Sequence, residues 1–208
     1  MVSYEHKVKN IYLGADTLPS WYQEVEYIES TGTQYIDTWY KHNSNTQVDI
    51  KIAFNSLTWQ RNTYYWGRTA YNNADAMSLN TNYTNYFSIN IWWLTSDTIH
   101  TFNINTDYEI SATKTYFKVN WTNYNISTNL STCQYTDYLL ALHEANTITP
   151  VNWTAKLYYC KISENWVLVR DFIPCYRTAD DVIWLYDKVN DVFYTNSWTW
   201  TFTKWPDV

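Results

Sequence analysis

Apolar and polar residues alternate with period two along most of the chain, the spacing of a half-buried β-strand. The pattern appears in EVEYIES (Glu24–Ser30), TQVDIKIAF (Thr46–Phe54), NYFSINI (Asn85–Ile91) and TIHTFNI (Thr98–Ile104). It continues through KTYFKVN (Lys114–Asn120), TNYNIST (Thr122–Thr128), DYLLALH (Asp137–His143), AKLYYCKI (Ala155–Ile162), WVLVRDFI (Trp166–Ile173), DVIWLYD (Asp181–Asp187) and DVFYTN (Asp191–Asn196). Strands this short and this numerous, recurring every 8 to 12 residues or so, predict an all-β sandwich or barrel. No intervening segment has the length of a crossover helix, so no parallel βαβ unit is expected. A helical turn near Asp75–Leu79 is the one local exception. The 208 residues suffice for a single sizeable core. Pro19 in TLPS restricts the backbone before the first strong strand, dividing an N-terminal arm or docking strand (1–17) from a sandwich domain (18–208).

Composition sharpens one point. The chain holds 13 Trp and 3 Gly, whereas Gly is about 7% of ordinary proteins. Three of the Trp follow Asn between two strands, at Asn120-Trp121, Asn152-Trp153 and Asn165-Trp166. Tight hairpins of that kind favour Asn-Gly, because both central residues of a type I′ turn take positive φ. A bulky residue there costs on the order of 1–2 kcal/mol. Taken at face value, the exposed Trp and Tyr residues would form platforms for sugar stacking, each offering an apolar face and a polar edge.

Charge and cysteine usage narrow the partners. A net charge of -6 supplies no basic stripe for phosphates, so neither nucleic acid nor an anionic membrane surface is an expected partner. No run approaches 18 apolar residues, and MVSYEHKVKN lacks the apolar stretch of a secretory signal, so neither membrane insertion nor a signal peptide is expected. Cys133, Cys160 and Cys175 are an odd number, which points to free buried thiols. His6, His42, His100 and His143 are scattered without zinc-ligand spacing. Glu24 and Glu26 lie two apart on one strand, as a carboxylate pair or as solvent-facing edge charges. RDFIPCYR (Arg170–Arg177) is the most distinctive string. Arg170, Asp171 and Arg177 suit either an anionic sugar or a structural ion-pair network, and Cys175 has no evident His partner for nucleophilic chemistry.

Two segments carry a family resemblance: LPSWYQEVEYIESTGTQYIDTWYK (Leu18–Lys41) and LVRDFIPCYRTADDVIWLYDKVNDVFYTNSWTWTFTKWPDV (Leu168–Val208). They resemble the opening and closing segments of a family of phage and prophage structural proteins, itself similar to laminin-G and concanavalin A-like jelly rolls. In that family the segments usually read LPSGYQEVEYIESTGTQYIDTGY and VIGLYDKVNGVFYTNSGTGTFTKG. Trp21, Trp39, Trp184, Trp198, Trp200 and Trp205 stand where the family has Gly. Together with Trp121, Trp153 and Trp166, they are expected to be glycine-equivalent turn sites. Trp and Gly together make 16 of 208 residues, close to an ordinary glycine share. UGA codons that the source reads as Gly, written as Trp by another translation table, would produce this substitution.

The resemblance implies a concanavalin A-like antiparallel jelly roll and a non-enzymatic accessory module on a virion or cell surface. Its partners would be a surface glycan or protein receptor and other virion or surface subunits, with VKNIYLGADT (Val8–Thr17) as an attachment segment. Arg170, Asp171, Pro174, Cys175, Tyr176, Arg177, Tyr186 and Asp187 would be a structural signature. No organic cofactor is implied; Ca²⁺ on Asp180, Asp181 and Asp187 is the one metal possibility, as in some laminin-G-like domains. The alternatives are a purely structural virion decoration domain and a carbohydrate-active hydrolase, although the longer acidic strand motif of related hydrolases is absent.

Overall fold

A computed structural model describes residues 7–9, 18–56, 62–70, 75–81, 86–91, 94–150, 154–197 and 201–208. Every regular element among them is a strand. In chain order these are β1 (Lys7–Lys9), β2 (Tyr22–Glu29), β3 (Ile36–Asp37), β4 (Thr46–Phe54), β5 (Asn62–Gly67), β6 (Met77–Thr81), β7 (Tyr86–Ile91), β8 (Leu94–Thr101), β9 (Asp107–Ala112) and β10 (Tyr116–Val119). There follow β11 (Thr122–Asn125), β12 (Tyr138–Leu139), β13 (Ala141–Glu144), β14 (Thr147–Pro150), β15 (Ala155–Glu164), β16 (Val167–Arg177), β17 (Ile183–Asp187), β18 (Val192–Thr195) and β19 (Thr203–Asp207). No helix among the described residues is long and apolar enough to cross a membrane.

The strands form two large antiparallel sheets and a small hairpin. The larger sheet runs β1-β18-β17-β16-β2-β15-β4-β9-β10-β11, with β19 also paired to β2; the smaller runs β3-β12-β5-β6-β7-β8, and β13 pairs β14. One buried cluster takes side chains from both large sheets, so the core lies between them as in a β-sandwich. β4 shows why the sequence folds this way: Val48, Ile50, Ile52 and Phe54 are fully buried, while Gln47, Asp49 and Lys51 on the alternate face keep partial contact with water. Each of those apolar side chains contributes roughly 1.5–3 kcal/mol relative to exposure. On the smaller sheet β5 and β6 are buried at every position, so both of their faces are covered.

β2 is wedged into the β15–β16 hairpin. β15 and β16 pair from Cys160–Phe172 to Glu164–Val167, at the turn. Further from the turn they diverge: β16 pairs through Cys175 with Glu24, and β15 pairs through Leu157 with Ile28. β-bulges at Ile162/Ser163 and Leu157/Tyr159 accompany the splaying.

Three local expectations change. Asp75–Leu79 is not a helical turn: Met77 and Leu79 face the core, Ser78 and Asn80 alternate with them, and β6 pairs on both sides. DYLLALH is not one strand, because Leu140 takes φ 64° and turns the chain from β12 in the six-stranded sheet to β13 in the small hairpin. β5 and β9 lay outside the predicted set, although DYEISA (Asp107–Ala112) alternates cleanly. Of the predicted arm, Lys7–Lys9 pairs with β18 at the sheet edge, and 1–6 and 10–17 lie outside the described residues.

Candidate functional site

Three turns meet at one end of the larger sheet and enclose an open cleft of about 280 Å³. Ser44–Gln47 leads into β4, Thr113–Thr115 joins β9 to β10, and Asn165-Trp166 closes the β15–β16 hairpin. The turns are held by their own hydrogen bonds. Asn165 N–H donates to the Asn45 carbonyl (3.2 Å), and Thr113 Oγ1 accepts from Thr115 and Tyr116 N–H (3.1 Å each). Thr46 Oγ1 accepts Asn43 N–H (2.9 Å) and bonds the Tyr40 hydroxyl (2.8 Å). The side-chain amides of Asn45 and Asn165 and the Lys114 ammonium have no hydrogen-bond partner among the described residues. With the exposed Trp166 indole they place a few polar groups in a cleft whose lining is otherwise mainly apolar. Its volume lies just below the roughly 300–1,000 Å³ of drug-sized pockets, which suits a single small unit.

The glycine-equivalent sites divide by geometry. Asn165 (φ 51°) and Trp166 (φ 67°) both lie in the left-handed region, and Glu164 pairs directly with Val167, as a two-residue type I′ hairpin requires. Trp39 (φ 53°) is held there by its surroundings: its N–H donates to Asp37 Oδ1 (2.8 Å), and its carbonyl accepts from Arg170 Nη2 (3.4 Å). Asn120-Trp121 is a two-residue turn between the paired Val119 and Thr122, and only the expectation of a left-handed Trp121 is corrected. Asn120 alone takes positive φ (51°), tied to Glu109 through its N–H (2.7 Å) and Oδ1 (2.8 Å), and Trp121 projects into solvent without left-handed strain. Trp21 is half exposed at a turn after Pro19. Trp205 is corrected from a turn to an exposed residue within β19, opposite Tyr27. Trp184 is corrected too. It lies inside β17, 5% exposed, edge-on to Tyr22 and Phe193, because its strand phase places it on the Tyr186 face with Cys175 opposite. Its indole Nε1 has no hydrogen-bond partner among the described residues. Trp153, Trp198 and Trp200 lie outside the described residues.

The signature residues are held by local pairings. Arg170 Nε lies 3.5 Å from Asp187 Oδ2 and 3.4 Å from the Thr38 carbonyl oxygen. Asp187 also accepts from the N–H groups of Asp171 (3.0 Å) and Val189 (3.1 Å) and from Asn190 Nδ2 (2.7 Å), closing the β17–β18 turn. Burial raises the pKa of its carboxyl, and those donors and Arg170 act in the opposite direction. Arg177 chelates Asp180 at 2.8 and 2.5 Å, and Lys204 Nζ pairs with Asp181 at 2.8 Å and covers the Tyr176 ring. Tyr186 bonds Asp191, and Pro174 pairs with Leu185 within the sheet. Asp180, Asp181 and Asp187 therefore serve three different cations and do not converge, and no metal-binding cluster of His, Cys, Asp and Glu occurs among the described residues. Glu24 and Glu26 are both exposed on β2. All three thiols are free and buried, and burial raises their pKa, to about 12 at Cys133.

Spacing concealed one cluster, because its members lie far apart in sequence. His42 Nδ1 meets Asp137 Oδ1 at 2.6 Å and Nε2 meets the Asp75 carbonyl at 2.6 Å. Asp137 Oδ2 accepts the Tyr65 hydroxyl (2.6 Å) and His42 N–H (3.1 Å). A Cβ at Gly67 would lie 1.9 Å from Asp137 Oδ1, so that position accepts glycine only. His42, Tyr65 and Asp137 are all 0% exposed. With both ring nitrogens facing acceptors, His42 is held as an imidazolium against the Asp137 carboxylate, which leaves it no free nitrogen for proton transfer. Burial lowers its pKa, but Asp137 and the Asp75 carbonyl outweigh burial and the net direction is upward. A raised histidine pKa contributes stability that is complete below the unfolded value of about 6.5 and is lost as pH rises through the folded value. Wild-type Tm is expected to fall with pH across that window more steeply than that of His42→Gln, measured by calorimetry.

These features define a two-sheet antiparallel β-protein with a loop-end cleft and an inert buried ion pair. No family model, curated protein or solved structure matches the chain.

Proposed function

We propose that the chain is a non-enzymatic, concanavalin A-like jelly roll, an accessory module of a virion or cell surface whose loop-end cleft takes the terminal sugar of a surface glycan. One observation carries the reading: Trp166 stands beside three polar side chains, Asn45, Asn165 and Lys114, that are unengaged among the described residues, in a cleft of about 280 Å³. An aromatic face for the apolar side of a sugar and free side-chain amides for its hydroxyls are the chemistry of such recognition. The non-enzymatic reading is supported by the burial of every thiol and by the engagement of both His42 nitrogens. Glycan-array binding by the purified chain is the test. Sugar-dependent binding is expected, with roughly 3- to 10-fold weaker affinity for Trp166→Ala. A uniformly blank array would dismiss the glycan reading and favour a decoration domain that packs only against neighbouring subunits.

The left-handed backbone at Trp39 and Trp166 favours a second proposal, that these codons are UGA read as glycine in the source. In that form Asn45, Asn165 and Lys114 would carry recognition without the indole. The gene sequence decides it: UGG at either codon removes the proposal for that site.

A further inference from the structure

Lys114 is the only charged residue among those lining the loop-end cleft, although acidic residues outnumber basic ones, 20 to 14, along the chain. Its backbone is fixed, because the Lys114 carbonyl accepts from Thr128 N–H (3.1 Å) and Thr128 Oγ1 (2.9 Å). Its ammonium is not. Lys51, Lys161 and Lys204 each lie 2.8–3.9 Å from an aspartate oxygen, and Lys118 and Lys156 lie over aromatic rings. Lys114 has neither kind of partner among the described residues. The carboxylates that flank the lining in sequence hold other donors: Glu164 accepts from Asn43 Nδ2 (2.8 Å) and the Tyr40 hydroxyl (3.4 Å), and Asp49 accepts from Gln47 Nε2 (2.8 Å). The cleft thus presents a cation with no counter-charge in contact among the described residues, beside two side-chain amides able to bond hydroxyls.

We propose that the sugar taken by this cleft carries a carboxylate, as a uronic or sialic acid does, and that Lys114 is the residue that selects it. The proposal rests on the glycan reading above and adds the charge of the ligand. A carboxylate against Lys114 Nζ makes a charge-assisted bond, shorter and stronger than one between neutral groups. The Asn45 and Asn165 amides take ring hydroxyls, and the Trp166 indole covers the apolar side of the ring. An amino sugar would bring a like charge to Lys114 and is disfavoured. The net charge of -6 does not prevent this selection, because physiological salt screens exposed charges beyond about 8 Å and leaves the contact with Lys114 to decide.

Isothermal titration of the full chain with methyl glucuronide and methyl glucoside tests the proposal, since the two differ only in a carboxylate for a hydroxymethyl group. A second arm compares the methyl glycoside of N-acetylneuraminic acid with its carboxamide. In at least one arm the acid is expected to bind about 3- to 10-fold tighter than its neutral counterpart, and the arm that responds names the acid. Lys114→Met should bring that ratio to about one, and Lys114→Arg should keep it. Lys156→Met removes the same charge roughly 25 Å away along β15 and should leave the ratio unchanged. If the neutral sugar binds as tightly as the acid in both arms, or if Lys114→Met keeps the preference, the proposal is overturned while the glycan reading stands. If none of the four probes binds, the proposal falls, and the glycan array shows whether the glycan reading falls with it.

Discussion

Asp137→Ala is expected to lower stability by about 3–5 kcal/mol, because it leaves the His42 imidazolium buried without a counter-charge. For a chain of this size the loss corresponds to a fall in Tm of roughly 6–20 °C, read by calorimetry at pH 6. The carboxylate accepts three hydrogen bonds, from the His42 ring, the His42 backbone and the Tyr65 hydroxyl, and alanine strands all three donors. Its backbone also binds the segment before β4, since Thr38 N–H (3.1 Å) and Oγ1 (2.6 Å) donate to the Asp137 carbonyl and Asp137 N–H donates to the Tyr40 carbonyl (2.7 Å). The variant should relieve part of the charge by deprotonating His42, so the excess fall in Tm with pH described above should vanish with it. An Asp137→Ala protein as stable as wild type would refute the charged-pair assignment.

The paired substitution Trp39→Gly/Trp166→Gly works in the opposite direction and is expected to raise stability by about 1–3 kcal/mol net of glycine's entropy. Each indole-bearing residue stands in a left-handed conformation that costs an L-residue roughly 1–2 kcal/mol. Neither can relax cheaply. Trp166 is fixed by a two-residue hairpin, and Trp39 by hydrogen bonds to its N–H and its carbonyl. Both side chains are more than half exposed, so little buried area is lost with them. Glycine's greater unfolded-state entropy reduces the gain. Trp121→Gly is the control: Trp121 carries no positive φ, so no stabilisation is expected there. Equilibrium urea unfolding separates these outcomes, and a neutral or destabilised double variant would contradict the steric reading.

How much was legible in the sequence depends on how water reports on each element. β4 was predicted residue for residue because one face is wet and the other dry, which imprints period two. β5 was invisible because NTYYWG is buried on both faces and has no polar phase to read. Trp184 illustrates two cues in conflict: the resemblance assigned it a turn, while DVIWLYD had already set it in phase with Tyr186, and packing followed the phase. Of the cleft, only Asn165-Trp166 was marked in advance, since the turns at Ser44–Gln47 and Thr113–Thr115 join it through tertiary pairing of β4, β9 and β15. His42 and Asp137 lie 95 residues apart, beyond any motif spacing.

The wedged position of β2 bears on how the chain assembles. Its hydrogen-bonding partners are β15, β16 and β19, and the Glu24–Cys175 register joins residues about 150 positions apart. During synthesis β2 waits with its edges bare until β15, β16 and β19 have emerged, and contacts of such long range make folding slow. Loss of β19 would bare the flank of β2 that it covers, so β2 and β19 protect one another's edges.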